Sequence, residues 1–508
     1  MRELGIFTDG TICAPATIPG TGAISIIRVS GEDSLAIADK VIDVKGESLS
    51  ETEGYRLRYG TIFADDGSVL DNVIVSVFRA PHSYTGENSV EISCHASRFI
   101  VNAVLELLVN AGARIAAPGE FTRRAFVNGK MDLAQAEAVA DVIASQSAAA
   151  HRVAMNQLKG GFSSELKTLR EKLLTMTSLL ELELDFSEED VEFASRSELG
   201  ALVEETLAHI VRLTDSFSRG NAIKNGIPVA IVGATNTGKS TLLNALLGEE
   251  RAIVSDIAGT TRDTIEETLN LGGVMFRFID TAGIRETDEV VEKIGIERTF
   301  RKLNEASIVL GMTDLSRGED TVLSDAEYIW DKVNASSSDR EFVLLVNKCD
   351  VNGIESVEAG SGAGFAGTGS RAGYVETGSE AGCAGKAGKM ARIEAALREK
   401  GIVTKMIPIS AKTGSGLPEL TEALAEIGRR ITGDTDETLV TNIRHYEALS
   451  RAATALGRVR DGLKVATLPP DLIAQDLREA LYHLGEIVGE ISTDEVLGNI
   501  FRKFCIGK

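Results

Sequence analysis

Residues 233–240 read GATNTGKS, which fits the pattern G-x-x-x-x-G-K-[ST]. The apolar run IPVAIV precedes them, and TLLNALLG, with helical spacing, follows. In that context the backbone N–H groups of the loop cradle phosphate oxygens. Lys239 would reach the β- and γ-phosphates and Ser240 would give an oxygen to Mg²⁺, with Asn236, Thr237, Gly238 and Thr241 around them. Three further motifs follow in order. Asp280, Thr281, Ala282 and Gly283 stand after the strand-like VMFRFI; Asp280 is placed to act on Mg²⁺ through its water shell and Gly283 to sense the γ-phosphate. Asn347, Lys348 and Asp350 lie in NKCD, after EFVLLV. The Asp350 carboxylate can accept from the N1 and N2 donors of guanine, and adenine offers no matching pair. Ser410, Ala411 and Lys412 follow MIPI and can meet the base O6 through backbone N–H. Together the motifs point to hydrolysis of GTP rather than ATP.

How the γ-phosphate is cleaved is less legible. Small signalling GTPases place Gln after the glycine of DxxG to orient water, and here that position is Ile284. Asn236 offers a side-chain oxygen near the β/γ bridge. The stretch SDIAGTTRD supplies Ser255, Asp256, Ile257, Ala258, Gly259, Thr260 and the candidate Mg²⁺-binding Thr261, followed by Arg262 and Asp263. The Ser255 hydroxyl and the carbonyls of Ile257 and Thr260 suit a hard monovalent cation such as K⁺, whose charge would do what an arginine finger does elsewhere. Water orientation needs a carboxylate, and the residues leave Glu286, Asp288, Glu289, Glu292 and Glu297 open.

The elements around these residues suggest several domains, as expected for 508 residues. Residues 1–120 mix strand-like runs (GAISIIRVSG, SVEISCHAS) with the helical SRFIVNAVLELLVNAG, an α+β pattern. Residues 121–222 are helical, with a break expected at Gly160 and Gly161 and an acidic cap or link at DFSEEDVEF. Strand and helix alternate over 223–433, the pattern of a doubly wound sheet, interrupted by a Gly/Ala/Ser-rich stretch at 353–390 that reads as a surface insertion. Helical spacing returns over 434–508. The simplest architecture inserts the α/β domain into a helical domain built from both flanks.

The net charge of −22 argues against a general nucleic-acid binder and leaves only local basic patches, such as TRRAF and FRKF. No apolar run approaches the ~18–20 residues of a membrane span, and the start lacks the apolar block of a leader. Five scattered cysteines without metal-ligand spacing fit reduced thiols in a cytoplasmic protein.

The chain resembles the MnmE/TrmE family of tRNA-modification GTPases over nearly its full length. The likeness rests on TICAPATIPGTGAISIIRVSG, PHSYTGENSVEISCH, PGEFTRRAFVNGKMDLAQAEAVADVI, DIAGTTRD, DTAGIRETDEVVEKIGIERT and the final FCIGK. Insertion 353–390 departs from the pattern, as do Ser255 in place of Thr and the lack of Pro before Asn236. The resemblance implies a folate-binding-like N-terminal domain, a helical domain and an inserted Ras-like P-loop domain. It implies K⁺ at Asn236, Ser255, Ile257 and Thr260, Mg²⁺ at Ser240 and Thr261, and Glu292 as the water-positioning acid. By position, Arg28, Glu87 and Lys130 would hold 5-formyl- or 5,10-methylene-tetrahydrofolate, with Cys505 near its one-carbon unit and Lys508 near the ligand. Members are homodimers held by the N-terminal domain, whose G domains meet when GTP and K⁺ bind. With an FAD-containing partner, MnmG/GidA, they form a heterotetramer and add an aminomethyl or carboxymethylaminomethyl group to C5 of wobble uridine 34 of certain tRNAs. The alternative is a GTP-switch ribosome-assembly or RNA-binding factor, which would need neither the N-terminal segment nor FCIGK.

Overall fold

The computed structural model describes residues 10–185, 196–251, 267–279, 305–336, 340–350, 380–402, 404–433, 437–465, 469–491, 494–502, 504 and 507. The chain divides into two compact units. One holds Met1–Ser145, His151–Phe217 and Thr438–Lys508; the other holds Gln146–Ala150 and Ser218–Glu437.

The first unit opens with strands β1 (Ile12–Pro15), β2 (Ile24–Ser30), β3 (Ile42–Val44), β4 (Arg56–Phe63), β5 (Val69–Phe78), β6 (Ser89–His95) and β7 (Arg114–Ile115). They form one sheet in the order β3-β4-β5-β6-β2-β1-β7, antiparallel except for the β1–β7 pair. Successive side chains of a strand point to opposite faces. Val73, Val75 and Val77 of β5 accordingly share one buried face with Ile27, Val29, Val90 and Ile92. The helix Arg98–Asn110 covers that face with Val104 and Leu108, four residues apart and so on one side of the helix.

The remainder of this unit is helical. Gly161–Asp185 turns Leu166, Leu169, Leu173, Met176 and Leu180 inward at spacings of three and four. It packs against Pro470–Val488, while Arg196–Asp215 packs against Ile443–Lys464. The helical core is thus shared between segments from both sides of the second unit. Two details differ from the sequence reading. The helical stretch before the glycine break includes two separate helices, Leu133–Ala144 and Ala148–Leu158, with the Ser147 hydroxyl accepting from Ala150 N–H between them. A helix also starts at Gly161, so the glycine break ends at Gly160, which takes a left-handed backbone.

The second unit holds β8 (Ile227–Gly233), β9 (Glu267–Leu271), β10 (Val274–Ile279), β11 (Ile308–Asp314), β12 (Glu341–Asn347) and β13 (Lys405–Pro408). Their order is β13-β12-β11-β8-β10-β9, parallel except for β9–β10. Apolar clusters cover both faces, which explains the near-continuous apolar strands. The chain order reverses around β8, so the carboxyl end of β8 is the switch point where such sheets bind ligands. The fold is multidomain α/β, with the P-loop domain inserted. The helix Glu380–Glu399 overlaps the end of the expected insertion and runs beyond it, because its later half carries the apolar spacing that buries Ile393 and Leu397; residues 353–379 lie outside the described ones.

Candidate functional site

β8 ends at Gly233 and the helix Lys239–Arg251 begins six residues later. Between them the loop is held from inside: the buried Thr237 hydroxyl donates to the Ala234 carbonyl at 2.9 Å. The Lys239 ammonium turns back onto the Gly233 and Ala234 carbonyls at 2.9 and 2.8 Å. Burial lowers its pKa, and two carbonyl dipoles compensate the charge less fully than a phosphate would. Asn236 is exposed and adopts φ 61°, a left-handed backbone that asparagine tolerates better than most residues. Ser240 is half-buried in the first turn of the helix, and Thr241 is exposed.

Asn347, the last residue of β12, ties this loop to the two segments expected to read the base. Its side-chain nitrogen donates to Thr237 O at 2.7 Å and its oxygen accepts from Ala411 N–H at 3.0 Å. Gly238 stands against it at φ 100°, and a Cβ there would fall 2.4 Å from the Asn347 nitrogen. Lys348 takes a left-handed backbone at φ 61° and donates to Asp314 at 2.7 Å. Burial raises the pKa of Asp314, but its bonds to Lys348 and Ser316 outweigh this and lower it. Sequence reasoning missed Asp314, although the turn signal D-x-S was there: the Asp314 carboxylate accepts from Ser316 N–H at 2.9 Å. The Ser410 segment closes through Ser410 N–H to Ser415 O at 2.8 Å, leaving Lys412 and Asp350 exposed. The structure therefore gathers residues 233–241, 347–350 and 410–412 at the carboxyl ends of β8, β12 and β13. The candidates at 255–263 and 280–297, Ile284 and Glu292 among them, lie outside the described residues.

A second cluster of candidates sits on the N-terminal sheet. The Arg28 guanidinium donates to Glu91 at 2.9 and 3.0 Å and lies over the Tyr84 and Phe121 rings, 5.1 and 5.6 Å from their centroids. The Tyr84 hydroxyl is 2.8 Å from that of Thr122. Glu87 takes the Ser30 hydroxyl at 2.7 Å and the Arg124 guanidinium at 3.1 Å on each oxygen. Lys130 donates to Pro81 O at 3.0 Å and rests its stem beside Gly86. Arg28, Glu87 and Lys130 thus surround one loop, 79–88. Arg124 is 2% exposed, so TRRAF offers no patch of paired surface arginines for RNA; one of them is an internal counter-charge.

The carboxy terminus comes to the same sheet. Phe504 packs with Phe501 and Leu497 against Leu133 and Ala136, flanked by Phe126. Gly507 is buried at φ 99°, and a Cβ there would lie 2.0 Å from the Pro15 carbonyl oxygen. Pro15 pairs with Ile27, next to Arg28 on β2. Cys505 and Lys508 lie outside the described residues.

The family model described as the MnmE helical domain matches residues 133–505, and the one described as the GTP-binding protein TrmE N-terminus matches residues 11–130. The chain belongs to the MnmE family. Its relatives include proteins named tRNA modification GTPase MnmE from Parabacteroides distasonis, 50% identical over 98% of this chain and 100% of the relative, and from Bacteroides fragilis, 50% identical over 98% and 99%. The MnmE protein of Porphyromonas gingivalis is 46% identical over the whole of both chains. Among the described residues, no helix is long and apolar enough to cross a membrane.

Proposed function

We propose that this MnmE-family chain is a K⁺-dependent GTP hydrolase of tRNA modification that installs an aminomethyl-type group on C5 of wobble uridine 34 with an FAD-containing MnmG/GidA partner. The observation that carries the reading is the buried Gly507 against Pro15, one ladder step from Arg28. A GTP switch needs no such docking of its last residues. The reading assigns Cys505 to the one-carbon unit of a folate held by Arg28, Glu87 and Lys130, and the docking of its neighbours Phe504 and Gly507 supports it.

The residues fit the groups the reading requires. For GTP, the cradle at 233–240 leaves the Lys239 ammonium on weak carbonyl partners that a phosphate can replace. Asp350 and the backbone of 410–412 would select guanine, and Asn347, which takes the Ala411 N–H, would hold the two in register. Mg²⁺ would be held by Ser240 and Thr261, and K⁺ by Asn236, Ser255, Ile257 and Thr260; the cations supply positive charge where the β/γ bridge becomes negative. Glu292 would orient water, and Arg262, Asp263 and Asp280 complete the catalytic segment. For tetrahydrofolate, the Glu87 carboxylate suits the donor-rich pterin edge, and the Arg28, Lys130 and Lys508 cations suit its carboxylates. The folate carries the one-carbon unit; what this chain does is bind and orient it beside the Cys505 thiol.

A homodimer through the N-terminal domain is supported by an apolar outer face: Tyr55, Leu57 and Tyr59 of the β4 region and Ile74 of β5 are each at least 49% exposed. A cytoplasmic setting is supported by the free, buried thiols of Cys13 and Cys94. The test is nucleotide hydrolysis by the purified chain in K⁺ and Na⁺ at matched ionic strength, alongside titration with 5-formyltetrahydrofolate. GTP-selective, K⁺-stimulated turnover with saturable folate binding is expected. Equal turnover in both salts would remove the cation from the mechanism, and no folate binding would favour the GTP-switch reading.

A further inference from the structure

The charges behind Glu87 form a line. Arg114 donates to Glu120 at 2.5 and 2.8 Å, Glu120 takes Arg124 at 3.1 Å, and Arg124 reaches both oxygens of Glu87 at 3.1 Å. The line runs from β7 through the helix Glu120–Val127 to the loop 79–88. Arg124 also donates to Gly10 O at 2.9 Å. Burial raises the Glu120 pKa, but bonds to Arg114 and Ala117 N–H and the charges of Arg114 and Arg124 lower it further, so it stays ionised.

A buried arginine needs counter-charge, because an unpaired buried cation is costly. Glu120, 5% exposed at its side chain, already provides it four residues back on the same helix. Glu87 is different: its side chain is 23% exposed and lies at the open end of the line. Both contacts to Glu87 come from Nη1, while Nη2 donates to Glu120 and Gly10 O, so one rigid planar guanidinium spans three acceptor groups, which a single ammonium cannot do. Ser30 fixes the second oxygen from the other side at 2.7 Å.

We propose that Arg124 is a positioning residue for folate recognition: it touches no ligand, and it holds the Glu87 carboxylate oriented so that its outward lone pairs meet the pterin N–H groups. The inference rests on the reading that Glu87 contacts tetrahydrofolate. Both helix and loop contribute, so the site is set before the ligand arrives, and little ordering cost falls on binding.

A double-mutant cycle tests it, with 5-formyltetrahydrofolate titrated calorimetrically into the full-length chain. Glu87→Gln is expected to weaken binding about ten- to a hundredfold, the worth of a charge-assisted hydrogen bond. Arg124→Gln should weaken it by a similar factor in the native background and by less than about twofold when Glu87→Gln is already present. Arg124→Lys, which keeps the buried cation and loses the rigid span between Glu120 and Glu87, guards against misfolding and should show the same dependence on Glu87 at smaller size. If Glu87→Gln changes nothing, the contact between Glu87 and folate fails. If Glu87→Gln weakens binding while Arg124→Lys leaves it at the native value, or if the two substitutions add independently, the positioning role is overturned and Arg124 is structural alone.

Discussion

The side-chain nitrogen of Asn347 donates to the carbonyl of Thr237 at 2.7 Å, although the two residues are 110 positions apart. The same amide accepts from Ala411 N–H. One buried side chain therefore sets the distance between the loop 233–240 and the segments 347–350 and 410–412 proposed to read the base.

Removing it should uncouple them. Asn347→Ala deletes two hydrogen bonds worth about 1 kcal/mol each, so GTP affinity should fall about ten- to a hundredfold. Gly238→Ala should act in the same direction, since its Cβ would collide with that amide. Titration with a fluorescent guanine nucleotide reads both; native affinity in either variant would show that the loop keeps its geometry without this contact.

Lys348 is held by Asp314 in a backbone conformation that non-glycine residues rarely take. Asp314→Ala should release it and lower guanine-nucleotide affinity severalfold, a loss smaller than that of Asn347→Ala, because the pair is partly exposed and such pairs contribute about 1 kcal/mol or less. The same titration measures it, and a larger loss would give Asp314 a direct role in base binding.

Glu137 lies under Arg444 and His445, joining the helix Leu133–Ala144 to Ile443–Lys464. Burial would raise its pKa, but the His445 and Arg444 charges and bonds bring it down from 4.5 to about 2. A depressed folded pKa stabilises above the unfolded pKa and is lost as pH falls through the folded one. The stabilisation, about 3 kcal/mol from 4.5 to about 2, should therefore be complete above pH ~5 and vanish towards pH ~2. Urea unfolding of the chain and of Glu137→Gln across this window should show the native chain losing its advantage; a difference independent of pH would contradict the ion-pair origin.

Burial pushes the Cys13 and Cys94 thiols up to about 11. Since the thiolate is the reactive form, iodoacetamide at pH 8 should leave both unmodified in the folded chain and label them in urea, as read by peptide mass spectrometry. Rapid labelling of the native chain would show the sheet to be open there.

Much of the P-loop unit was legible because its motifs are local: GATNTGKS, NKCD and SAK each announce a strand end and a turn. The fold class was equally legible from period-two and period-3.6 spacing. What the sequence could not show is long-range pairing. Nothing in TRRAF says that Arg124 turns inward to Glu87, 37 positions away. Asp314 looks like an ordinary turn residue until Lys348 is seen beside it. The helix at Glu380 escaped notice because glycine and alanine dominate its first half, and its apolar spacing begins only beyond Met390. The tail was readable only through its resemblance to the family, since seven residues of FRKFCIG contain no periodicity.

The most direct test of the account is mass-spectrometric nucleoside analysis of tRNA from cells lacking this chain, complemented with the native sequence or with Gly507→Val, whose side chain would strike Pro15. Loss of C5-aminomethyl-type wobble uridines is expected in the deletion, with restoration by the native chain and none by Gly507→Val. Unchanged wobble uridines in the deletion strain would contradict it.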